Sequence, residues 1–590
     1  MCGILGIATK QSIDPKQFDR FRYRLRHRGP DGADSWFSED RRVGLGHRRL
    51  SILDLSESGR QPMTNEDGSL WLTFNGEIYN APTLRTELLK YGHTFKSHSD
   101  SEVLLHGFET WGMTELLNRL RGMFAFVIYD KNTRELWGAR DRLGIKPLVY
   151  YRDTNVFAFA SEVKGLPVPS LEFDPTCLLD YFTYSYLPHP RTAYHHTHKL
   201  LPGHVFHYRT TTDQLDIKRY WTLQSGTDRP SPNVASQTFG ALLEESTNSH
   251  LLSDVPVGLF LSGGYDSSAL LYHAQLTTAP PDCFTIGYTD SFRDETEPAK
   301  AVAQHYEATH RIRSVGKDVD FLAALRTLSA NVDEPYAVSG LLSYHYVSEL
   351  SAKTHKVVLA GDGGDEALAG YKWHQRARAL WEPSLRERLR NLYHGVFTPK
   401  DLHRFYREQT TGTFGNLHPE HLLSPSLRRL RLREPFWYFQ QHDRPDLPIV
   451  RRVQWLDVHT FLLDVCLQRA DWASMHHSLE VRVPFVDHKL LEYTFSLHPD
   501  VLLQPGVKKP LLHRHLIGKL PEVITKMPKR GFSFAHTEVL THSPAVLSML
   551  NHSKAVAAGW IRRDIKPEAL PANYRWHWLM LELFLEDHTP

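Results

Sequence analysis

A chain of 590 residues is too long for one hydrophobic core and calls for two to four domains. With 41% hydrophobic and 23% charged residues it is not generally disordered, and a formal net charge of +2 gives no electrostatic case for nucleic acid as a partner. No apolar run approaches the roughly 18 residues that cross a bilayer, so no membrane span is expected.

The N-terminal MCGILGIATK has too short an apolar run, and no basic flank, for a signal peptide; a soluble cytoplasmic protein is expected. The four cysteines, Cys2, Cys177, Cys283 and Cys466, form no CxxC pair and no zinc-like spacing, and read as reduced thiols. Up to about residue 210, short apolar runs bounded by turns predict strands: CGILGIA, SLWLTFNGEIY, MFAFVIYD, ELWGAR and VFAFASEV. Helical patterns interrupt them at about 83–91 and 101–120, which suggests layered sheets flanked by helices. Residues 211–235, rich in Thr, Ser, Asp, Gln and Pro, read as a last hairpin and a linker. From 236 to 590 the order becomes strand, glycine loop, helix, as in VGLFLSGGYDSSALLYHAQL and HKVVLAGDGGDEALAGY. That order predicts a parallel α/β sheet with ligands at the carboxyl ends of its strands. Residues 375–455 look helical and carry no chemical motif. Three signals are set aside: His195, His196 and His198 as a solvated turn, HHS at 476–478 as structural, and RRLRLRE at 428–434 as one face of a helix.

Two places suggest chemistry. Removal of Met1 would leave Cys2 with a thiol and a free α-amine, and an amine with a reference pKa of about 8 can act as base for the thiol. SGGYDSS at 262–268 follows a buried strand and is no Walker A loop, because no GK pair follows. Its free backbone N–H groups ahead of a helix suit a pyrophosphate. Taken alone, Asp362, Asp365 and Glu366 are an acidic turn between strand and helix.

The segments CGILGI, RHRGPDG, GHRRLSILDL, FNGEIYN, SDSEV, GMFAFVIYD and RDRLGIKPL, in this order, together resemble the class II glutamine amidotransferase domain of asparagine synthetases. SGGYDSS resembles the pyrophosphate loop of ATP pyrophosphatases. With DEPYAVSG, GDGGDEALAGY and HSLEVRVPFVDH it makes residues 235–540 resemble the synthetase domain of the same family. The resemblance implies an αββα Ntn-hydrolase sandwich over 2–210, the linker 211–235, and a doubly wound parallel α/β domain with helical elaboration over 236–590. It implies Cys2 as nucleophile, Asn75 and Gly76 as oxyanion hole, and Arg49, Asn75, Glu77 and Asp100 as the residues that bind glutamine. Arg49 would grip the α-carboxylate, and Asp100 and Glu77 the α-ammonium. Ser262, Gly263, Gly264, Asp266 and Ser267 would line the phosphates of ATP, and Phe260, Ile286 and Gly361 the adenine and ribose. Asp266 and Asp365 would hold Mg²⁺. Asp362 would help the amidation step, and Lys529 in PKRGF would neutralise the leaving pyrophosphate.

The implied reaction uses glutamine and ATP to amidate a carboxylate, with aspartate as the leading acceptor and a shielded ammonia passage between the sites. Three rivals stand beside it. One is a uronic acid of surface polysaccharide as the acceptor. Another is a lactam-closing ligase, although such relatives tend to lose the N-terminal cysteine. The third is a non-catalytic scaffold or sensor. A homodimer is compatible with any of them. The chain departs from the family pattern at Leu368, Ala369 and Gly370, at Trp472 where arginine is common, and near Ser343 where a proline is usual. Trp472 and the 336–345 segment are expected to border the acceptor pocket.

Overall fold

The computed structural model describes residues 2–288, 294–316, 319–383, 401–410, 421–431, 433–504, 506–522 and 540–588, with 388, 418 and 524. Two six-stranded antiparallel sheets form the first body. In one, Gly3–Thr9 pairs with Val43–Arg49 and with Val156–Ala160. In the other, Leu70–Ile78 pairs with Gly122–Asp130, which pairs in turn with Glu135–Arg140. The two-residue period of a strand divides the apolar side chains between layers. Ala125 and Val127 face inward and meet Ile4, Leu45 and Phe157 of the first sheet. Phe124 and Phe126 face outward, onto Leu84, Leu88, Val103 and Leu116 of the helices Ala81–Lys90 and Ser101–Arg119. On the far side of the first sheet, Leu5 and Ile7 pack on Phe18 and Phe21 of the helix Pro15–Arg24. Helix, sheet, sheet and helix make the αββα sandwich.

The hairpin His204–Arg209 with Gln214–Arg219 edges the second sheet. The chain then reaches the helix Pro232–His250, where Ser231 supplies the N-cap. A third sheet is parallel throughout. Its spatial order is His310–Val315, Cys283–Tyr288, Val257–Phe260, Val357–Leu359, Glu480–Arg482. Chain order reverses between Val257–Phe260 and Val357–Leu359, the crevice where a doubly wound sheet takes its ligand. SGGYDSS leaves the first of these strands and GDGGDE the second.

Helices elaborate this sheet. Within the 375–455 region the described parts include Leu402–Thr410, Trp437–His442 and Ile449–Leu456. Ile449–Leu456 runs into an unusual π-helical stretch, Asp457–Leu467, and then into the helix Gln468–Met475. π-Helical segments concentrate at functional sites, and this one brings Phe461 and Cys466 to a cavity. The basic run at 428–434 is not one face of a helix. The helix Pro425–Arg429 stops at Leu430, and Arg433 instead lies over the Trp437 ring at 4.2 Å. His195, His196 and His198 are exposed at a turn and the edge strand after it. Among the described residues no helix is long and apolar enough to cross a membrane.

Candidate functional site

Cys2 stands at the mouth of the first strand. Its backbone nitrogen donates to Asn75 Oδ1 at 2.8 Å, and its carbonyl accepts from Arg28 Nε at 3.1 Å. With Met1 removed, that nitrogen would be the α-amine at the same place. Asn75 is fully buried and its Nδ2 has no hydrogen-bond partner. An unmet buried donor costs about 1–3 kcal/mol, and an oxyanion forming at the Cys2 thiol would satisfy it. Gly76 follows because a Cβ there would collide with the Met123 carbonyl across the ladder. Burial pushes the Cys2 thiol up, so the thiol needs a base close by.

The predicted glutamine ligands sit around this point in different states. Arg49 borders a cavity of about 490 Å³, with its guanidinium donating to the carbonyls of Leu53, Asp54 and Ser56. Asp100 precedes the helix Ser101–Arg119 but makes no capping bond to it. Its Oδ2 instead accepts from Ile78 N at 2.7 Å, beside Glu77. Glu77 meets Arg482 of the third sheet at 3.1 Å, while its Oε2 has no hydrogen-bond partner. Burial raises both carboxyls, Asp100 to about 6.

That value sets a pH test. If ionised Asp100 holds the α-ammonium, kcat/KM for glutamine hydrolysis falls as pH drops through about 6, roughly tenfold per unit below it. Asp100→Asn should be slow at every pH and lack this limb. A flat wild-type profile between about pH 5 and 8 would remove Asp100 from that role.

The second centre is a cavity of about 670 Å³ at the point where the strand order reverses. Phe260, Ser262, Gly263, Gly264, Asp266, Ser267, Ile286, Gly361, Asp362 and Asp365 all line it. Gly263 has φ +69°, and a Cβ there would press on Pro298 and Ala299. The loop is tied by Ser262 Oγ to Ser267 Oγ at 3.1 Å and leads into the helix Tyr265–Ala274, which has no side-chain cap. A helix N-terminus without a side-chain cap suits an anion. Lys509 Nζ lies 2.6 Å from Asp266 Oδ1 and 2.8 Å from Asp365 Oδ1. Tyr344 donates to Asp362 Oδ2, and Arg469 Nη2 to Asp362 Oδ1 at 3.1 Å. The wall beyond Asp362 is aromatic. Tyr371 and Trp373 stack at 3.9 Å, with Phe461 edge-on to both.

A polar seam joins the two centres. Arg28, fully buried, holds Asp471 through both terminal nitrogens at 2.8 and 2.9 Å, and Glu162 at 2.6 Å. Asp471 and Arg469 belong to one helix, Gln468–Met475, so it touches Arg28 beside Cys2 at one side and Asp362 at the other. A small cavity of about 40 Å³ lies in the seam, walled by Ile145, Leu148, Leu463, Leu467 and Trp472 among others.

Residues 1–221 match the glutamine amidotransferase domain family, and residues 238–586 the asparagine synthase family. The chain is 32% identical to glutamine-hydrolysing asparagine synthetase 1 of Bacillus subtilis, across 90% of this chain and 87% of that protein. The chain belongs to the glutamine-hydrolysing asparagine synthetase family. Synthetase 3 of B. subtilis is 30% identical over 91% of this chain and 87% of its own length. A fungal relative, amidase chry2 of Gibberella zeae, is 28% identical over 84% and 80%.

In this family member the expected acceptor border is corrected. Trp472 faces the seam cavity and the Tyr336 ring at 5.1 Å, not the large cavity. Ser343 is buried on the Tyr288 hydroxyl, and Ala369 is buried behind Gly370; only Tyr344 and Gly370 of those segments reach the cavity. Lys529 lies outside the described residues. Tyr344 lies in the 336–345 segment expected at the acceptor border, whereas sequence reading gave no role to Arg28, Arg469, Asp471 or Lys509. Arg28 stood inside the quoted RHRGPDG; the others carried no signal beyond a charged side chain.

Proposed function

We propose that this synthetase hydrolyses glutamine at Cys2 and delivers the ammonia to a carboxylate activated by ATP in the 670 Å³ cavity. The observation that carries this reading is the Cys2–Asn75 pair, in which the Cys2 nitrogen donates to a buried amide whose own donor is unmet. There the α-amine would take the thiol proton, the thiolate would attack the glutamine amide carbon, and Asn75 Nδ2 would meet the oxyanion. The protonated α-amine would return its proton to the amide nitrogen, ammonia would leave as the C–N bond breaks, and water would then release glutamate from the resulting thioester. The seam cavity supports a shielded ammonia passage, because water or a proton would otherwise consume the ammonia.

In the second cavity the acceptor carboxylate would attack the α-phosphorus of ATP, giving an acyl-adenylate and pyrophosphate. The uncapped helix at Tyr265 and the Lys509 ammonium favour the phosphates there. Asp266 and Asp365 fit Mg²⁺: both already face one cation, Lys509, and Gly364 and Gly370 keep the space beside them clear. Bound there, the ion would neutralise phosphate charge. Ammonia would then attack the acyl carbon and AMP would leave as the acyl–phosphate bond breaks, while Asp362, held by Tyr344 and Arg469, would take a proton from the incoming nitrogen.

For the acceptor we favour aspartate. The names of the relatives support it, and the removal of Trp472 from the cavity takes away the strongest sequence argument against it. The stacked Tyr371 and Trp373 favour a second reading, a sugar-ring uronate lying on that face. The test supplies glutamine, ATP and Mg²⁺ with a panel of carboxylates and measures AMP and new amide. Saturable asparagine formation equal to AMP release is expected with aspartate. No asparagine at millimolar aspartate, with glutamine hydrolysis intact, would reject aspartate and favour the uronate. ADP and phosphate as products would reject the adenylate itself.

A further inference from the structure

We propose that His345, His476 and His477 form a binding site for a divalent transition metal of the zinc class, at the C-terminal end of the helix that spans the two active sites. His345 sits on the helix Gly340–Ser351, packed against Gln468–Met475, and His476 and His477 form the turn that ends the latter. One ligand nitrogen from each of the three lies within 4.8 Å of the others. His477 Nε2 is 2.9 Å from His345 Nδ1. A tetrahedral ion with bonds of about 2.0–2.1 Å spaces its ligands about 3.3 Å apart. The present separations, from 2.9 Å to no more than 4.8 Å, bracket that spacing.

Their chemistry fits the ion, because the neutral imidazole nitrogen is the commonest metal ligand. A single N–H···N bond accounts for His345 and His477, but His476 Nδ1 is buried with no hydrogen-bond partner. The charges that face the cluster are already paired. Arg313 meets Glu349 on one side, and Glu162 meets Arg28, His27 and Lys164 on the other. The turn is fixed as well, because Ser478 Oγ donates to the His27 carbonyl at 2.6 Å. Imidazole suits Zn²⁺, Ni²⁺ or Cu²⁺ rather than Mg²⁺ or Ca²⁺, so this site is distinct in ligand chemistry from the aspartates of the large cavity. A second group, Glu66, His93, His106 and Glu109, sets its histidines among carboxylates. There His106, despite its burial, is pushed up to about 9 by Glu102, Glu109 and Glu66, and its proton already balances those carboxylates.

The consequence lies in the helix. Tyr344, next to His345, and Arg469 both hold Asp362, and Asp471 holds Arg28. An ion on the three histidines would tie the two helices together directly beside these contacts.

The test uses the full-length protein freed of metal by a chelator. Zn²⁺ is titrated against a competing dye, and Co²⁺ is added separately for its visible absorption. Wild type is expected to bind one equivalent of Zn²⁺ that His476→Ala and His477→Ala bind about 100-fold more weakly or worse. Co²⁺ should give the intense visible bands of a tetrahedral site in wild type alone. His476→Ala removes a partly exposed ring whose Nδ1 has no partner, so its fold should persist, which circular dichroism checks. Equal Zn²⁺ binding by wild type and a folded His476→Ala, or a Co²⁺ spectrum unchanged by the substitution, would overturn the site.

Discussion

Cys2→Ala is expected to lower glutamine-dependent turnover by at least about a thousandfold, the scale seen when an enzyme loses its nucleophile. Synthesis driven by ammonium salts should persist. The reason is geometric. The substitution removes the sulfur and keeps the backbone, so the nitrogen still donates to Asn75 and the carbonyl still accepts from Arg28. Arg28 therefore stays on Asp471, and the helix that leads to Asp362 is undisturbed. Alanine is small, so removal of Met1 should proceed as for cysteine, and mass spectrometry of both proteins should find Met1 absent. Full turnover with glutamine in the variant would show that the thiol is not the nucleophile. Active wild type that keeps Met1 would contradict the α-amine as base.

The contrast between Cys2 and its neighbours shows what a sequence carries. The strands of the two antiparallel sheets were legible as short apolar runs between turns, and a run such as Phe124 to Val127 is continuous because both its faces are buried. The glycine loops were legible because a parallel strand, a loop and a helix follow one another within about 20 residues, as a βα unit requires. Asn75, Gly76, Asp266 and Asp365 lie in such contiguous pieces. Lys509 does not. It reaches Asp266 across 243 residues of chain, from a segment that reads as an ordinary basic turn. Arg28 and Asp471 are 443 residues apart, and neither segment predicts the other. Trp472 misled for a local reason. Trp472 lies only about 60° round the helix from Arg469 but most of a turn further along it, and there it meets Tyr336 and the seam cavity instead of Asp362. The histidines at 476 and 477 looked structural because their third partner, His345, comes from another helix.

Asp266→Asn and Asp365→Asn should each lower AMP formation by at least about a hundredfold, while glutamine hydrolysis stays within about twofold of wild type. Each aspartate contributes one carboxylate to a space that the Lys509 ammonium now shares. Asparagine keeps the volume and one carbonyl oxygen but loses the charge, so a divalent ion there would have one anionic ligand instead of two. The fold should hold, because the amide oxygen can still accept from Lys509 and the remaining aspartate still pairs with it. Burial disfavours the Lys509 charge, and the charges of Asp266 and then Asp365 outweigh it and push the ammonium's pKa up. Losing either aspartate should therefore make Lys509 easier to deprotonate. Raising Mg²⁺ should recover part of the lost rate if the defect lies in ion binding. Glutamine hydrolysis is the internal control, since Cys2 and Asn75 belong to other sheets. Wild-type AMP formation in both variants would remove the ion from these two aspartates. Loss of both activities together would instead mean that the substitution disturbs the seam through Asp362, Arg469 and the helix that Arg469 shares with Asp471.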